Sequence, residues 1–305
     1  MNSHKWFIIV NPTSGNGTSK KLWPQISERL KKEGIEFEHH FTEFHKHSVY
    51  LVQIAVSLRI KTIVVIGGDG TFHNVVNGVM KQDVVASHQI TLGIIPVGTG
   101  NDWVKTYSIP KNTDQAIDVM LKGKVKQQDI GKITLSNLNR TEVYFNNLAG
   151  VGFDGHVANT VNRFKKFGAA AYLIGAVVGL FSFKNFSVEV STHSKTIRTK
   201  SLMLLVGLCQ YSGGGMQLTE APNPKDGLFD ISLAKDLSKW QIVKNLGNLF
   251  NGKILKHKSV ETFKSSNIDV RDINNAQPFI QADGELIGKG GFNVEIMPKA
   301  ISFYC

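Results

Sequence analysis

The stretch TIVVIGGDGTFHNVVNGVM, residues 62–80, constrains the fold more than any other part of the chain. An unbroken apolar run, TIVVIGG (62–68), ends in glycine. Apolar residues Phe72, Val75, Val76 and Val79 then follow at i, i+3, i+4, i+7 spacing. A strand buried on both faces that turns directly into a helix is the repeating unit of a parallel sheet covered by helices. The first 125 or so residues repeat this texture. WFIIV (6–10) leads through NPTSGNG into a helical pattern on Leu22, Ile26 and Leu30. FEHHFT (37–42) alternates like a strand, Val49, Val52, Ala55 and Val56 mark a second helix, and TLGIIPVG (91–98) reads as a fourth strand. The expectation is an α/β N-terminal domain over 1–125, a mostly parallel sheet with helices on both faces.

Beyond that point the texture changes. KITLS, VYFNNLA, FSVEVST, SLMLLVGLC, LFDISLA, NIDVRD, PFIQADGE and FNVEIMP alternate with turn residues and read as antiparallel strands. A β-sandwich-like domain over 126–292 is expected, with helical insertions near 156–181 and 238–252. Residues 293–305 form a C-terminal strand segment with the option of returning to the N-terminal domain.

The net charge of +11 favours an acidic partner, either nucleic acid or an anionic membrane surface. No helix-turn-helix or aromatic RNA-binding pattern accompanies it, so nucleic acid is the least favoured. Two distant cysteines, Cys209 and Cys305, lie outside any metal-ligand spacing and fit a reducing cytoplasm. The apolar run near the N-terminus is too short for a signal peptide. Gly168–Phe183 is apolar but shorter than the roughly 20 residues a membrane-spanning helix needs. It is flanked by Arg163, Lys165, Lys166 and Lys184. Residues 235–258 carry six lysines and one acid, with Trp240, Val243, Leu246 and Phe250 near one helical face. Either stretch can pack its apolar face on the β domain, or present it to an anionic lipid surface.

Four loops carry candidate chemistry. Three follow strands of the N-terminal domain, at the strand ends where open α/β sheets bind ligands. The loop Asn11-Pro12-Thr13-Ser14-Gly15 lacks the GxxxxGK[ST] spacing of a P-loop. Gly67-Gly68-Asp69-Gly70-Thr71 lets backbone N–H groups approach an anion at a helix start, although a GxGxxG fingerprint is missing and Asp69 and Thr71 can also act as helix caps. PVGTGND (96–102) brings glycines and Thr99 to a neighbouring strand end. QADGELI places Asp283 and Glu285 around Gly284, a pattern that is also a common Asp-Gly turn.

Taken in order, NPTSG (11–15), GGDGT (67–71) with Asn77-Gly78, PVGTGND (96–102), Asp129 in QDIG, GVGFDG (150–155), GGGM (213–216), PNPKDGLFD (222–230) and DGE (283–285) resemble the soluble diacylglycerol kinases, sphingosine kinases and related bacterial lipid kinases. GGDGT alone also occurs in NAD kinases; the ordered set carries the resemblance.

The resemblance implies an ATP-binding N-terminal domain, a lipid-binding C-terminal domain and an active site in the cleft between them. It assigns Asn11, Pro12, Thr13, Ser14, Gly15, Thr42, Gly67, Gly68, Asp69, Gly70, Thr71 and Thr99 to ATP. Asp69 would sit beside the phosphates with Mg²⁺, and Glu285 would be the general base. Asp226, with the carbonyls of Asn223 and Leu228, would hold a further Mg²⁺, and Asp129 would belong to an acidic, water-bridged network reaching that metal or the catalytic one. The implied activity is transfer of the γ-phosphoryl group of ATP to a lipid hydroxyl at the membrane surface, by a cytoplasmic, peripherally bound enzyme. A kinase of a soluble acceptor and a non-catalytic nucleotide or lipid sensor are the alternatives. Two departures stand out: Asn74 replaces the usual glutamate after GGDGT, and Trp103-Val104-Lys105 replaces Phe-Ala-Arg. Oligomeric state is left open.

Overall fold

Strands β1 (Trp6–Val10), β2 (Phe37–Phe41), β3 (Thr62–Gly67) and β4 (Thr91–Pro96) alternate with helices α1 (Thr18–Lys32), α2 (His47–Ser57) and α3 (Asp69–Lys81). Two helices, α4 (Asp102–Thr106) and α5 (Thr113–Leu121), follow β4. The computed structural model describes residues 5–98, 100–136, 141–161, 179–180 and 182–305. It divides into two units, Met1–Gln128 with Lys299–Cys305, and Asp129–Pro298.

In the first unit β1 to β4 run parallel, with β1 between β2 and β3, and β3 paired to β4. Ser302 and Phe303, near the chain end, add a further parallel strand beside β4. Phe7, Ile8, Ile9 and Val10 are all fully buried, as are Ile63 to Ile66. Residues of both parities are inside because helices cover both faces, which is why these strands read as continuous apolar runs. α1 contributes Ile26 and Leu30 to the core, while Arg29 near its end pairs with Glu33 at 2.9 Å and with Asp118 of α5 at 3.0 Å.

The second unit is antiparallel. Its strands are β5 (Val125–Leu135), β6 (Glu142–Phe145), β7 (Leu148–Gly152), β8 (Phe186–Ser191), β9 (Thr196–Gly207), the two-residue β10 (Tyr211–Ser212) and β11 (Met216–Gln217), β12 (Phe229–Lys235), β13 (Val260–Ser265), β14 (Asn267–Asp272), β15 (Phe279–Ala282), β16 (Glu285–Lys289) and β17 (Phe292–Tyr304); β5 begins, and β17 ends, in the first unit. The long β9 organises the sheet, pairing with β8 along its first half and with β7 and β12 along its second. β15 lies between β7 and β16.

Two expectations change here. VETFKS (260–265) forms strand β13 against β12, although its alternation is too polar to announce a strand. The insertion near 238–252 is not one helix. α7 (Lys239–Lys244) is capped by Ser238 and Gln241 in a reciprocal box, and 3₁₀ turns at Leu246–Leu249 and Lys253–Lys256 follow. Gly247, Gly252 and repeated asparagines disfavour a continuous helix, so Leu246 and Phe250 do not continue the α7 face. Of the first insertion, α6 (Phe153–Val161) is described. Residues 162–178 and 181, which hold most of the Gly168–Phe183 stretch together with Arg163, Lys165 and Lys166, lie outside the described residues.

Candidate active site

The parallel register of the first unit brings the predicted nucleotide loops to one edge. Val10 is level with Phe41 and Ile66, and Gly67 with Pro96, so Asn11, Thr42, Gly67 and Val97 all start at the carboxyl ends of strands. The loops then bind one another. Asn11 donates from Nδ2 to Thr71 Oγ1 at 2.8 Å and accepts from the Thr13 backbone and hydroxyl at 3.1 and 2.9 Å. Thr42 N–H reaches Val10 O at 2.8 Å. Pro12 to Gly15 close a tight turn, in which Ser14 N–H bonds Asn11 O at 3.2 Å. Thr99 lies outside the described residues.

Asp69 has a definite tertiary partner. Its carboxylate accepts the backbone N–H groups of Asp102 at 3.2 Å and Trp103 at 3.4 Å, the first two residues of α4. These are orphan donors of a helix start, where a carboxylate is also favoured by the helix dipole. Asp69 therefore caps the helix of the neighbouring loop, while its own helix α3 has Gly68 at the cap with no side-chain bond. The glycines make the approach possible. A Cβ on Gly98 would lie 3.3 Å from Gly68 Cα, and one on Gly100 would lie 2.9 Å from the Asp69 carboxylate. Trp103 anchors α4 from the other side, its ring packed at a tilt 4.3 Å from that of Phe72 and its indole N–H donating to Gln128 at 2.8 Å. Lys105, where the family pattern has arginine, pairs with Asp102 at 2.6 Å.

In the second unit, Glu285 opens β16 directly after the turn Asp283-Gly284. Both turn residues have positive φ, 50° and 84°, the signature of a two-residue hairpin whose twist matches its strands. The Asp283 carboxylate accepts three backbone N–H groups, from Asn146 at 3.1 Å, Asn147 at 2.9 Å and Leu148 at 3.1 Å. Gln281 Oε1 accepts Gly284 N–H at 2.7 Å, and its amide donates to the buried Asp154. The turn is thus pinned on two sides. Among the described residues the half-buried Glu285 carboxylate makes no hydrogen bond or ion pair. It is the one member of the acidic set Asp69, Asp129, Asp226 and Glu285 whose lone pairs are not committed to a partner within the described chain.

The loop Pro222–Leu228 holds the predicted metal ligands. Asp129 is fully buried and accepts Gly227 N–H at 2.9 Å, while its own N–H reaches Pro224 O at 2.9 Å. Asp226 accepts Leu228 N–H at 3.1 Å on one oxygen and pairs with Lys264 at 3.1 Å on the other. Asn223 O receives the N–H groups of Lys225 and Asp226 at 2.7 and 3.3 Å. Burial works to lower the Lys264 pKa, but hydrogen bonds and charge from Asp226 and Asp230 outweigh it and hold the ammonium above its ordinary 10.5. A divalent cation wants carboxylate and carbonyl oxygens turned toward it. Here those oxygens are turned toward N–H groups and an ammonium, so the arrangement does not fit one. Among the described residues no three acidic, histidine or cysteine side chains converge as ligands.

Sequence reasoning did not single out Asp102, Asp154, Gln281 or Lys264, and it left Asp283 as a turn residue. Asp283 stood beside a named residue in DGE and was within reach. Lys264 carried no signal, because its partners are set by the pairing of β12 and β13, which places it opposite Asp230.

Two family models match successive parts of the chain. Residues 5–133 match the family model described as diacylglycerol kinase catalytic domain. Residues 147–305 match the one described as YegS C-terminal NAD kinase beta sandwich-like domain. A Staphylococcus epidermidis protein named diacylglycerol kinase is 29% identical, over 92% of this chain and 86% of its own length. One of the same name from Bacillus subtilis is 28% identical, over 92% and 89%. A crystal structure of a diacylglycerol kinase from Bacillus anthracis strain Sterne is similar in fold, with a TM-score of 0.73 at 22% identity, covering 100% of this chain and 97% of that one. With one family model matching its first part and a second matching more than half of its length, the chain belongs to the diacylglycerol kinase family and is a lipid kinase.

Proposed function

We propose that the enzyme transfers the γ-phosphoryl group of MgATP to the hydroxyl of a diacylglycerol-like lipid at an anionic membrane surface. The first unit would hold MgATP as substrate, on the loops Asn11–Gly15 and Gly67–Thr71 with Thr42 and Thr99. Glu285 of the second unit would take the proton from the acceptor hydroxyl. Magnesium bound to ATP would offset charge on the phosphates.

One observation carries the choice of a lipid acceptor over a soluble one. The second unit contains an open apolar pocket between β9 and the α7 insertion, walled by Phe153, Met203, Leu218, Leu237, Ile242 and Leu249. A second apolar pocket shares Phe153, Met203, Ile242 and Leu249 with it. A nucleotide-like acceptor needs polar partners, whereas an acyl chain needs none. The insertion that roofs these pockets also exposes Trp240 by 75%, Phe250 by 50% and Val243 by 44%, among Lys239, Lys244, Lys253 and Lys256. Aromatic residues interleaved with lysine suit a headgroup interface, where each lysine contributes about 1 kcal/mol on an anionic surface. No described helix is long and apolar enough to cross a membrane.

The test is transfer of label from γ-labelled MgATP to mixed micelles of diacylglycerol, phosphatidylglycerol or a sphingoid base, with NAD offered in parallel. Label in the lipid extract supports the proposal. Label only in NAD would establish the second reading, which the description of the C-terminal domain as NAD kinase-like favours. Binding of MgATP without transfer to any acceptor would overturn both. The double substitution Trp240→Ala, Phe250→Ala is expected to cut co-sedimentation with phosphatidylglycerol vesicles at least about tenfold, a loss of roughly 1.4 kcal/mol, while turnover of a short-chain, water-soluble diacylglycerol stays near wild type. Unchanged vesicle binding would remove this face from the interface.

Asp283→Ala should act through Glu285, because it removes the acceptor for three N–H groups at the base of the hairpin. Displacing a reacting group by about 1 Å costs on the order of 10²-fold. The expected result is a fall in kcat of that order, an unchanged KM for MgATP and partial recovery in Asp283→Asn. A change confined to thermal stability would leave Asp283 a purely structural residue.

A further inference from the structure

We propose that the ammonium of Lys264 takes the place of a divalent cation in the Pro222–Leu228 loop, so that this loop keeps its fold without bound metal. The inference concerns the second unit alone and does not rest on the acceptor being a lipid.

The ammonium of Lys264 sits among three oxygens, two as hydrogen-bond acceptors and one as an ion-pair partner. Lys264 Nζ hydrogen-bonds Asp226 Oδ2 at 3.1 Å and the backbone carbonyl of Ala221 at 3.0 Å, and it forms an ion pair with Asp230 Oδ2 at 3.2 Å. Two carboxylates and a carbonyl around one cation form the oxygen set a divalent ion would choose. The remaining carboxylate oxygens face inward: Asp226 Oδ1 accepts Leu228 N–H at 3.1 Å, and Asp230 Oδ1 accepts Ala221 N–H at 3.1 Å. Asp129 ties the middle of the loop through Gly227 at 2.9 Å. A divalent cation on Asp226 would stand within a few ångströms of the ammonium and meet its repulsion. It would also have to displace N–H donors from Asn223 O.

The position of Lys264 is fixed by the sheet and not by the loop. It lies on β13 directly opposite Asp230 on β12, an opposite-charge cross-strand pair, and its ammonium also reaches Asp226 in the loop. The charge is therefore delivered by strand pairing.

Removing the ammonium would leave Asp226 and Asp230 as adjacent, uncompensated carboxylates, a pair that calls for a replacement cation. The test is metal binding and melting of the nucleotide-free full chain. Wild type in EDTA is expected to melt at the same temperature as with added Mg²⁺ or Mn²⁺, and to leave Mn²⁺ unbound by electron paramagnetic resonance. Lys264→Ala is expected to melt lower in EDTA, to recover on adding either cation, and to bind Mn²⁺ in a manner abolished by Asp226→Asn. A wild-type chain that binds Mn²⁺ without nucleotide, and loses it in Asp226→Asn, would overturn the proposal even if Lys264→Ala fails to fold. None of these measurements reads phosphoryl transfer, so their failure is distinct from failure of the proposed activity.

Discussion

Glu285→Gln is expected to lower the phosphoryl-transfer rate about 10²–10⁴-fold, the range a positioned general base contributes. The substitution keeps the shape of the side chain and the backbone pairing of Ala282 with Glu285. It removes the one acidic group of the candidate set that has no partner among the described residues. Because no ion pair is lost, the melting temperature should stay close to wild type. KM for MgATP should also hold, since the loops assigned to the nucleotide belong to the first unit. A variant within a few-fold of wild type would remove Glu285 from the chemistry.

Asp69→Asn is expected to reduce transfer by at least about 10²-fold, the scale of losing one electrostatic element of a phosphoryl-transfer site. Unlike Glu285, Asp69 also has a structural role, accepting the Asp102 and Trp103 N–H groups at the start of α4. An amide keeps one acceptor oxygen but loses the charge and turns an N–H₂ toward a donor. Hydrogen bonds to charged groups contribute about 1.5–3 kcal/mol, so a drop of several degrees in melting temperature should accompany the loss of activity. Measuring both quantities separates the roles. Lower stability with activity retained would make Asp69 only a clasp between two loops.

Legibility in the sequence followed the range of the forces involved. The parallel strands of the first unit were readable because burial on both faces writes a continuous apolar run, as in Ile63 to Ile66. The antiparallel strands were readable from alternation, except β13, where Glu261, Thr262 and Lys264 blur the pattern. The apolar spacing of the insertion near 238–252 suggests one helix, but Gly247, Gly252 and the asparagines break it into a short helix and two 3₁₀ turns. Local turn chemistry at Asp283-Gly284 was visible, whereas the three N–H groups that Asp283 accepts come from Asn146, Asn147 and Leu148, far away along the chain.

The two fold classes, the family and the set of residues worth suspecting are written in the chain itself, as periodicity, glycine placement and motif order. What those side chains touch is not written there. Folding gave Asp69 to the neighbouring helix, left Glu285 without a partner among the described residues, and set Lys264 against Asp226. Each outcome depends on which strands pair and in what register. Hydrogen bonds and ion pairs act over about 3 Å, a distance that spacing along a chain does not encode.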